Sequence, residues 1–456
     1  MASVMWFRRD LRLADNPALL SAVDAGRADP AADGQVVPLF VLDPALSQPA
    51  GVARRAYLAA SLADLGRRVG GLQLRRGDPV QEVVAVARAA HATTVHITED
   101  FGPGGRRRDL EVGSALAGHG IELVLTGSPY AVPPGRVLTK TGGPYQVFTP
   151  YSRAWRDHGW QAPVLRPRTV SWARPLENVQ LDEVPLPDGL RLPAAGEPAA
   201  RRRWHDFLEQ RLDDYAATRD RADLDGTSRM SVHLKWGEIH PRTMLADLAA
   251  RSGGASATRY VTELAWREFY ADVLWQRPDS AREYLKPEFA DMEYDEPGSR
   301  FTAWQDGRTG YPIVDAGMRQ LRAEGWMHNR VRMVAASFLV KDLHIEWRHG
   351  ARHFMRWLVD GDLASNQHGW QWTAGCGTDA SPYYRVFNPI LQGKRFDPQG
   401  DYVRRYVPEL RQVGSGSIHE PWTLPGGPPD GYPAPIVDHD QERREALSRL
   451  AMLRKA

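Results

Sequence analysis

The run DGDLASNQHGWQW, from Asp360 to Trp372, sets two acids ahead of an asparagine and two indoles. On a helix, Asp362 and Asn366 lie four apart and share a face, as do Asn366 and Trp370. Such a face offers hydrogen-bonding groups to a polar ring and ends in an indole beside it. An indole stacks on flat ligands and can also give up an electron. The competing reading of this segment alone is an amphipathic helix with core tryptophans and solvated acids.

Three further segments carry related chemistry. GTSRMS, from Gly226 to Ser231, follows a polar turn and precedes Val232–Trp236. Hydroxyls and backbone N–H groups at a helix start form a phosphate seat, and Arg229 adds charge; an ordinary N-cap has the same look. In TELAWREFY, Glu263, Trp266 and Arg267 share a helix face and combine an acid, an indole and a guanidinium. A surface salt bridge beside a core tryptophan is the plain alternative. WMHNRVRM, Trp326–Met333, offers Asn329, Arg330 and Arg332 to a base edge or a flavin, or simply to solvent. Arg332 can pair with Asp360 or Asp362.

Other chemistries find little support. Gly102-Pro-Gly104-Gly105 lacks the spacing of a dinucleotide fingerprint, and there is no Walker A sequence. His349 and His353 suit one helix face but lack the H-E-x-x-H that would make them zinc ligands. No G-x-S-x-G elbow supports a hydrolase. A single Cys, Cys376, excludes an internal disulfide framework and a cysteine-rich metal site. The net charge of +2 means that any polyanion site arises from local clustering; six Lys stand against 52 Arg. The chain opens on polar WFRRDLR rather than a signal peptide and has no 18-residue apolar run, so an intracellular, cytoplasmic protein without a membrane span is expected.

Positioning these residues takes two kinds of architecture. Val4–Phe7, Val36–Leu42, Leu72–Leu74, Thr94–Thr98 and Ile121–Leu125 read as buried strands. Between them, Pro17–Ala25, Arg54–Val69, Val80–Ala90 and Arg107–Ala117 read as helices, with Asp78-Pro79 as a helix start. This α/β alternation predicts a doubly wound parallel sheet over residues 1–130, with ligands at the carboxyl ends of its strands. Prolines then punctuate 131–200, which reads as a long, partly extended connector. Residues 201–456 read as an all-α domain holding 11 of the 15 Trp, closing on a charged helix over Gln441–Arg454.

Together these segments resemble the photolyase/cryptochrome family. The resemblance begins at MWFRRDLRLADNPAL (Met5–Leu19) and GGPYQVFTPYSRAW (Gly142–Trp155). It continues through GTSRMSVHLKWG, ELAWREFY, TGYPIVDAGMRQLRAEGWMHNRVRMVAASFLVKDL and DGDLASNQHGWQW, ending near FNPILQGKRFDPQGDYVRRYVPEL. It implies an N-terminal α/β antenna domain, a connector and a C-terminal helical domain that binds FAD and DNA. By resemblance, Tyr215, Thr227, Ser228, Arg229, Met230 and Ser231 hold the adenine and phosphate side of FAD. Arg267, Arg332, Asp360, Asp362 and Asn366 surround the flavin, with Asn366 facing its N5.

Family members that repair cyclobutane pyrimidine dimers, class I type, carry Trp, Asn and Met where this chain has Trp266, Asn329 and Met333. The resemblance therefore implies light-driven repair of a dimer flipped from single- or double-stranded ultraviolet-damaged DNA, by a protein expected to be a monomer. Trp266 and Trp372 would flank the dimer, with Glu263, Asn329, Arg330 and Met333 around it. DNA contacts are expected from Arg330, Arg348, Lys394, Arg395, Arg404 and Arg405. The rival readings are a cryptochrome-like photoreceptor without repair and a flavin-binding regulatory DNA protein. The family's electron relay maps onto Trp370, Trp347 and, at its third place, Tyr294, where relatives carry tryptophan; Trp304 is an alternative. Lys235 in HLKWG resembles the lysine of deazaflavin-using members, which implies an 8-hydroxy-deazaflavin antenna, with a reduced folate as the alternative.

Overall fold

The structure is a computed structural model and describes residues 2–28, 34–175, 179–251, 254–378 and 384–453. Its first third is built from the apolar runs. β1 (Ser3–Trp6), β2 (Gln35–Leu42), β3 (Gln73–Arg76), β4 (Thr94–Ile97) and β5 (Glu122–Leu125) form a parallel sheet in the order β3-β2-β1-β4-β5. Alternation along β1 sends Val4 and Trp6 into one helix-covered core and Met5 and Phe7 into the other. Helices Pro17–Ala28, Val52–Arg68, Pro79–Ala89 and Pro103–Ala117 supply those layers, and the Asp78 side chain caps Val80 N–H at 2.7 Å. Strand order reverses at β1, so the crevice between the ends of β1 and β4 is the natural docking point.

The stretch over 131–200 is less extended than its prolines suggest. It holds a helix, Phe148–His158, and a short strand β6 (Ser171–Trp172) that pairs with the start of β2. Pro150 sits in the first turn of that helix, where a missing N–H costs nothing. The helical part buries two large clusters, one around Trp304, Phe338, Trp347, Phe354 and Trp370. The other is built on Trp155, Trp204, Tyr260 and Phe269. The terminal helix spans His439–Leu453.

Buried polar groups fasten the two parts together. Glu197 accepts from Leu13 N–H at 2.6 Å and Arg68 at 2.7 Å, and Arg12 donates to the Gly237 carbonyl at 3.0 Å. Asp15 takes Arg242 at 2.7 Å. Glu268 is 1% exposed and accepts from the Ala131 and Val132 N–H groups and the Trp155 indole at 2.5, 3.0 and 2.6 Å. Such carboxylates are tolerable in a core because nearly every lone pair is answered. Gly237, at φ +66°, admits no side chain: a Cβ there would lie 1.8 Å from the Arg9 carbonyl oxygen. Among the described residues, no helix is long and apolar enough to cross a membrane.

Candidate active site

Helix Leu363–Ala374 starts at Asp362, whose Oδ1 accepts Ser365 N–H at 3.1 Å. Its Oδ2 accepts from Arg9 at 2.7 Å. Burial alone would raise the Asp362 carboxyl; Arg9, Lys235 and Arg267 outweigh it and hold it well below the usual range. Arg9 belongs to the WFRRDLR run just after β1, so the switch point of the sheet reaches directly into the helical site. Neither spacing nor motif singles out Arg9.

Asp360 takes the other cation. Its Oδ2 accepts Ser231 Oγ at 2.7 Å and Arg332 Nη2 at 2.9 Å, which decides between the two carboxylates open to Arg332. Arg332 also donates through Nε to the Met327 carbonyl at 2.8 Å. Asp360 Oδ1 is buried without a hydrogen-bond partner among the described residues. Asn366 is buried, and its amide donates to the Ala351 carbonyl at 3.2 Å. Arg267 donates to the Pro129 carbonyl at 3.1 Å and lies over the Tyr130 ring at 4.7 Å.

The GTSRMS loop runs into the six-residue helix Ser231–Trp236, too short for a strong macrodipole. Ser228 Oγ meets the Tyr260 hydroxyl at 2.7 Å and also accepts Met230 N–H. Thr227 and Arg229 line a cavity of about 300 Å³ with Arg203, Trp326, His328 and Arg405. Arg229 has a left-handed backbone, φ +53°, and its guanidinium is engaged by Glu324 at 2.9 Å and lies over Trp326 at 4.3 Å. Tyr215 is buried among Phe207 and Tyr260.

These groups fit a flavin nucleotide. A buried carboxylate oxygen awaits a donor beside a guanidinium and a hydroxyl, and a hydroxyl-bearing loop adjoins them. A polar heteroaromatic ring and a phosphate suit those two halves.

A second constellation gathers nearby. Helix Ala255–Gln276 presents Glu263, Trp266 and Arg267 on one face. Trp266 is half-buried and stacks on Phe148 with centroids 3.6 Å apart. Glu263 forms an ion pair with Arg219 at 2.9 Å and lies 3.3 Å from Arg259. Burial raises the Glu263 carboxyl, and Asp220 adds to that against Arg219 and Arg330. Arg330 pairs with Asp220 at 3.0 Å and lies over Phe396 at 4.6 Å. Asn329 is exposed, 4.0 Å from the Met333 sulfur. Trp372 borders a cavity of about 230 Å³ with Lys286, Lys341 and Tyr384. The Arg219–Asp220 pair and Phe148 had not been singled out; the charged run before GTSRMS was the available signal for the pair.

Several basic residues expected on a DNA face are already engaged. Arg348 is paired with Glu283 and Glu346, Lys394 with Glu420 and Arg404 with Asp401. Arg395 and Arg405 are exposed.

Trp370 and Trp347 are 3% and 0% exposed, on adjacent helices. Trp370 meets Phe354 at 4.9 Å and Trp304 at 6.2 Å. Gly350 makes room for it, since a Cβ there would lie 2.1 Å from Trp370 Cη2. Tyr294 is partly buried against the same core. Lys235 stands at the junction of the two parts, near Arg9, Arg54, Asp100 and Asp362; burial and Arg9 lower it to about 7.

The chain is similar to known proteins over nearly its whole length. The family model described as DNA photolyase matches residues 3–168, and the FAD binding domain of DNA photolyase matches 260–452. A deoxyribodipyrimidine photo-lyase from Streptomyces griseus is 43% identical over 97% of each chain. A bacterial class III photolyase from Agrobacterium tumefaciens superposes with TM-score 0.91 at 36% identity, covering 100% of this chain and 98% of that one. An archaeal photolyase from Sulfolobus tokodaii with two FAD molecules gives TM-score 0.86 at 28% identity, covering 99% and 100%.

Proposed function

The chain belongs to the DNA photolyase family, and on that footing we propose that it splits cyclobutane pyrimidine dimers in ultraviolet-damaged DNA, driven by light and using bound FAD. The full-length likeness to a deoxyribodipyrimidine photo-lyase carries this reading. Trp266, Asn329 and Met333 favour repair over a signalling photoreceptor. The test is a dimer-containing oligonucleotide incubated with purified protein. Dimers disappear under blue or near-ultraviolet light and persist in the dark; intact dimers in both arms favour the photoreceptor.

When bound, fully reduced FAD supplies the excited-state electron that opens the dimer and takes it back. The protein positions and solvates. Arg332 and Ser231 hold Asp360 as a fixed acceptor for the flavin, and Arg9 holds Asp362 charged beside it. Asn366 presents its amide to the ring. The GTSRMS loop, with Tyr215 packed behind it, takes the adenine and phosphate side.

The dimer is flipped from the duplex, at a cost lowered because the lesion already weakens its stack. Trp266 and Trp372 wall the flipped bases, and Phe148 backs Trp266. Asn329 and Glu263 hydrogen-bond the base edges, Met333 packs beside them, and Arg330 meets the strand. Exposed Arg395 and Arg405 contact phosphates. The enzyme acts as a monomer in the cytoplasm, with residues 1–130 as antenna domain, 131–200 as connector and 201–456 as the flavin and DNA domain.

Glu263 makes a pH prediction. Its carboxyl is raised, so the protonated form that donates to a thymine carbonyl survives above the ordinary carboxylate range. Repair therefore falls as pH rises through that pKa, on the order of tenfold for a lost hydrogen bond of about 1.5 kcal/mol. Glu263→Gln gives a flat profile, measured as repair yield against pH. A wild-type profile equally flat removes the proton from the mechanism.

For the antenna we favour 8-hydroxy-deazaflavin at Lys235. An acidic ring hydroxyl returns charge to an ammonium that burial and Arg9 depress. The absorbance of the extracted pigment separates it from a reduced folate or a second FAD.

A further inference from the structure

Tyrosine can end an electron relay only if something takes its proton. The place matched to the relay's third member holds Tyr294, whose buried hydroxyl interacts with the Tyr284 hydroxyl and has no carboxylate hydrogen-bonded to it among the described residues. A different tyrosine is better equipped. Tyr284, 4% exposed, stands edge-on to Trp347 with ring centroids 6.0 Å apart and an interplanar angle of 82°. Its hydroxyl donates to Glu346 Oε1 at 2.7 Å. Glu346 directly precedes Trp347, so acceptor and indole share one helix start. Arg348 donates to the same Glu346 oxygen at 2.9 Å and covers the Tyr284 ring at 4.7 Å. Of the two tyrosines, only Tyr284 has both an aromatic contact to Trp347 and a carboxylate in hydrogen-bond contact.

We propose that Tyr284, with Glu346 as its proton acceptor, is the terminal donor of the relay after Trp347. The inference rests on the flavin reading above, under which Trp370 would give an electron to photoexcited oxidised flavin and Trp347 would refill Trp370. The Trp347 radical cation then takes one electron from Tyr284 and returns to neutral indole. The Tyr284 O–H bond breaks, its proton moves to Glu346 Oε1, and a neutral tyrosyl radical faces a neutral carboxylic acid. Burial, then Tyr294 and Glu346, raise the Tyr284 phenol, so the proton is present until the electron leaves. Arg348 orients the carboxylate and stays charged throughout.

The experiment is transient absorption and electron paramagnetic resonance of the flavin-loaded protein after a flash. Wild type yields a tyrosyl radical whose formation slows in heavy water. Tyr284→Phe abolishes that signal and lengthens the life of the tryptophan radical cation several-fold, while Tyr294→Phe leaves both unchanged. Glu346→Gln keeps the Tyr284 ring but removes the base, and lowers the tyrosyl yield with the tryptophan radical intact. These variants isolate the relay from folding, because the tryptophan radical itself reports an assembled site. Loss of the tyrosyl signal in Tyr294→Phe with its survival in Tyr284→Phe overturns the proposal. A protein that binds flavin and yields tryptophan radicals but no tyrosyl radical overturns it too, leaving the flavin reading standing. Absence of any bound flavin sinks that reading, and this proposal with it.

Discussion

Asp360→Ala protein purifies almost without flavin absorbance and loses light-driven repair. Asp360 Oδ2 joins the Ser231 hydroxyl at 2.7 Å to the Arg332 guanidinium at 2.9 Å, and its Oδ1 waits buried for a ligand donor. Truncation removes that acceptor and leaves a part-buried cation with only the Met327 carbonyl on its Nε. Breaking such a pair costs roughly 3 kcal/mol, about two orders of magnitude in affinity. The check is flavin released per protein on denaturation, with circular dichroism to establish folding. Asp360→Asn keeps the shape and one acceptor and loses less. Wild-type flavin content in a folded Asp360→Ala protein would mean that the cofactor sits elsewhere.

Trp266→Ala separates lesion recognition from general DNA binding. Stacking of a base on an aromatic ring contributes about 1–3 kcal/mol, so affinity for a dimer-containing oligonucleotide falls on the order of tenfold to a hundredfold. Affinity for undamaged DNA and flavin content stay near wild type, because phosphate contacts and the Asp360 pair are untouched. Trp266→Phe keeps a ring against Phe148 and recovers most of the loss. Titration of both oligonucleotides decides the matter. Equal weakening on damaged and undamaged strands would count against a wall for the flipped dimer.

Much of this was legible in the residues. Buried parallel strands announce themselves as apolar runs between helical patterns, and the bounds of each expected strand lie within two residues of the one found. The Asp360–Trp372 run was legible because helix spacing fixes which residues share a face. Long-range pairings were not, since neither periodicity nor capping carries them. Arg332 could take either carboxylate; the fold assigned it Asp360 and gave Asp362 to Arg9, 353 residues away. Prolines disguised the helix Phe148–His158, because Pro150 costs nothing in a first turn. Nor does spacing show that the Arg229 guanidinium pairs with Glu324, 95 residues away. Tyr284 lies outside every motif, and its pairing with Glu346 emerges only from packing.

The most direct measurement is repair per absorbed photon as a function of wavelength, with purified, reduced protein and one defined dimer. The account predicts that dimer loss follows the absorption of the bound chromophores and ceases in darkness. A protein carrying reduced flavin and gripping the lesion, yet leaving it intact at every wavelength, would contradict it.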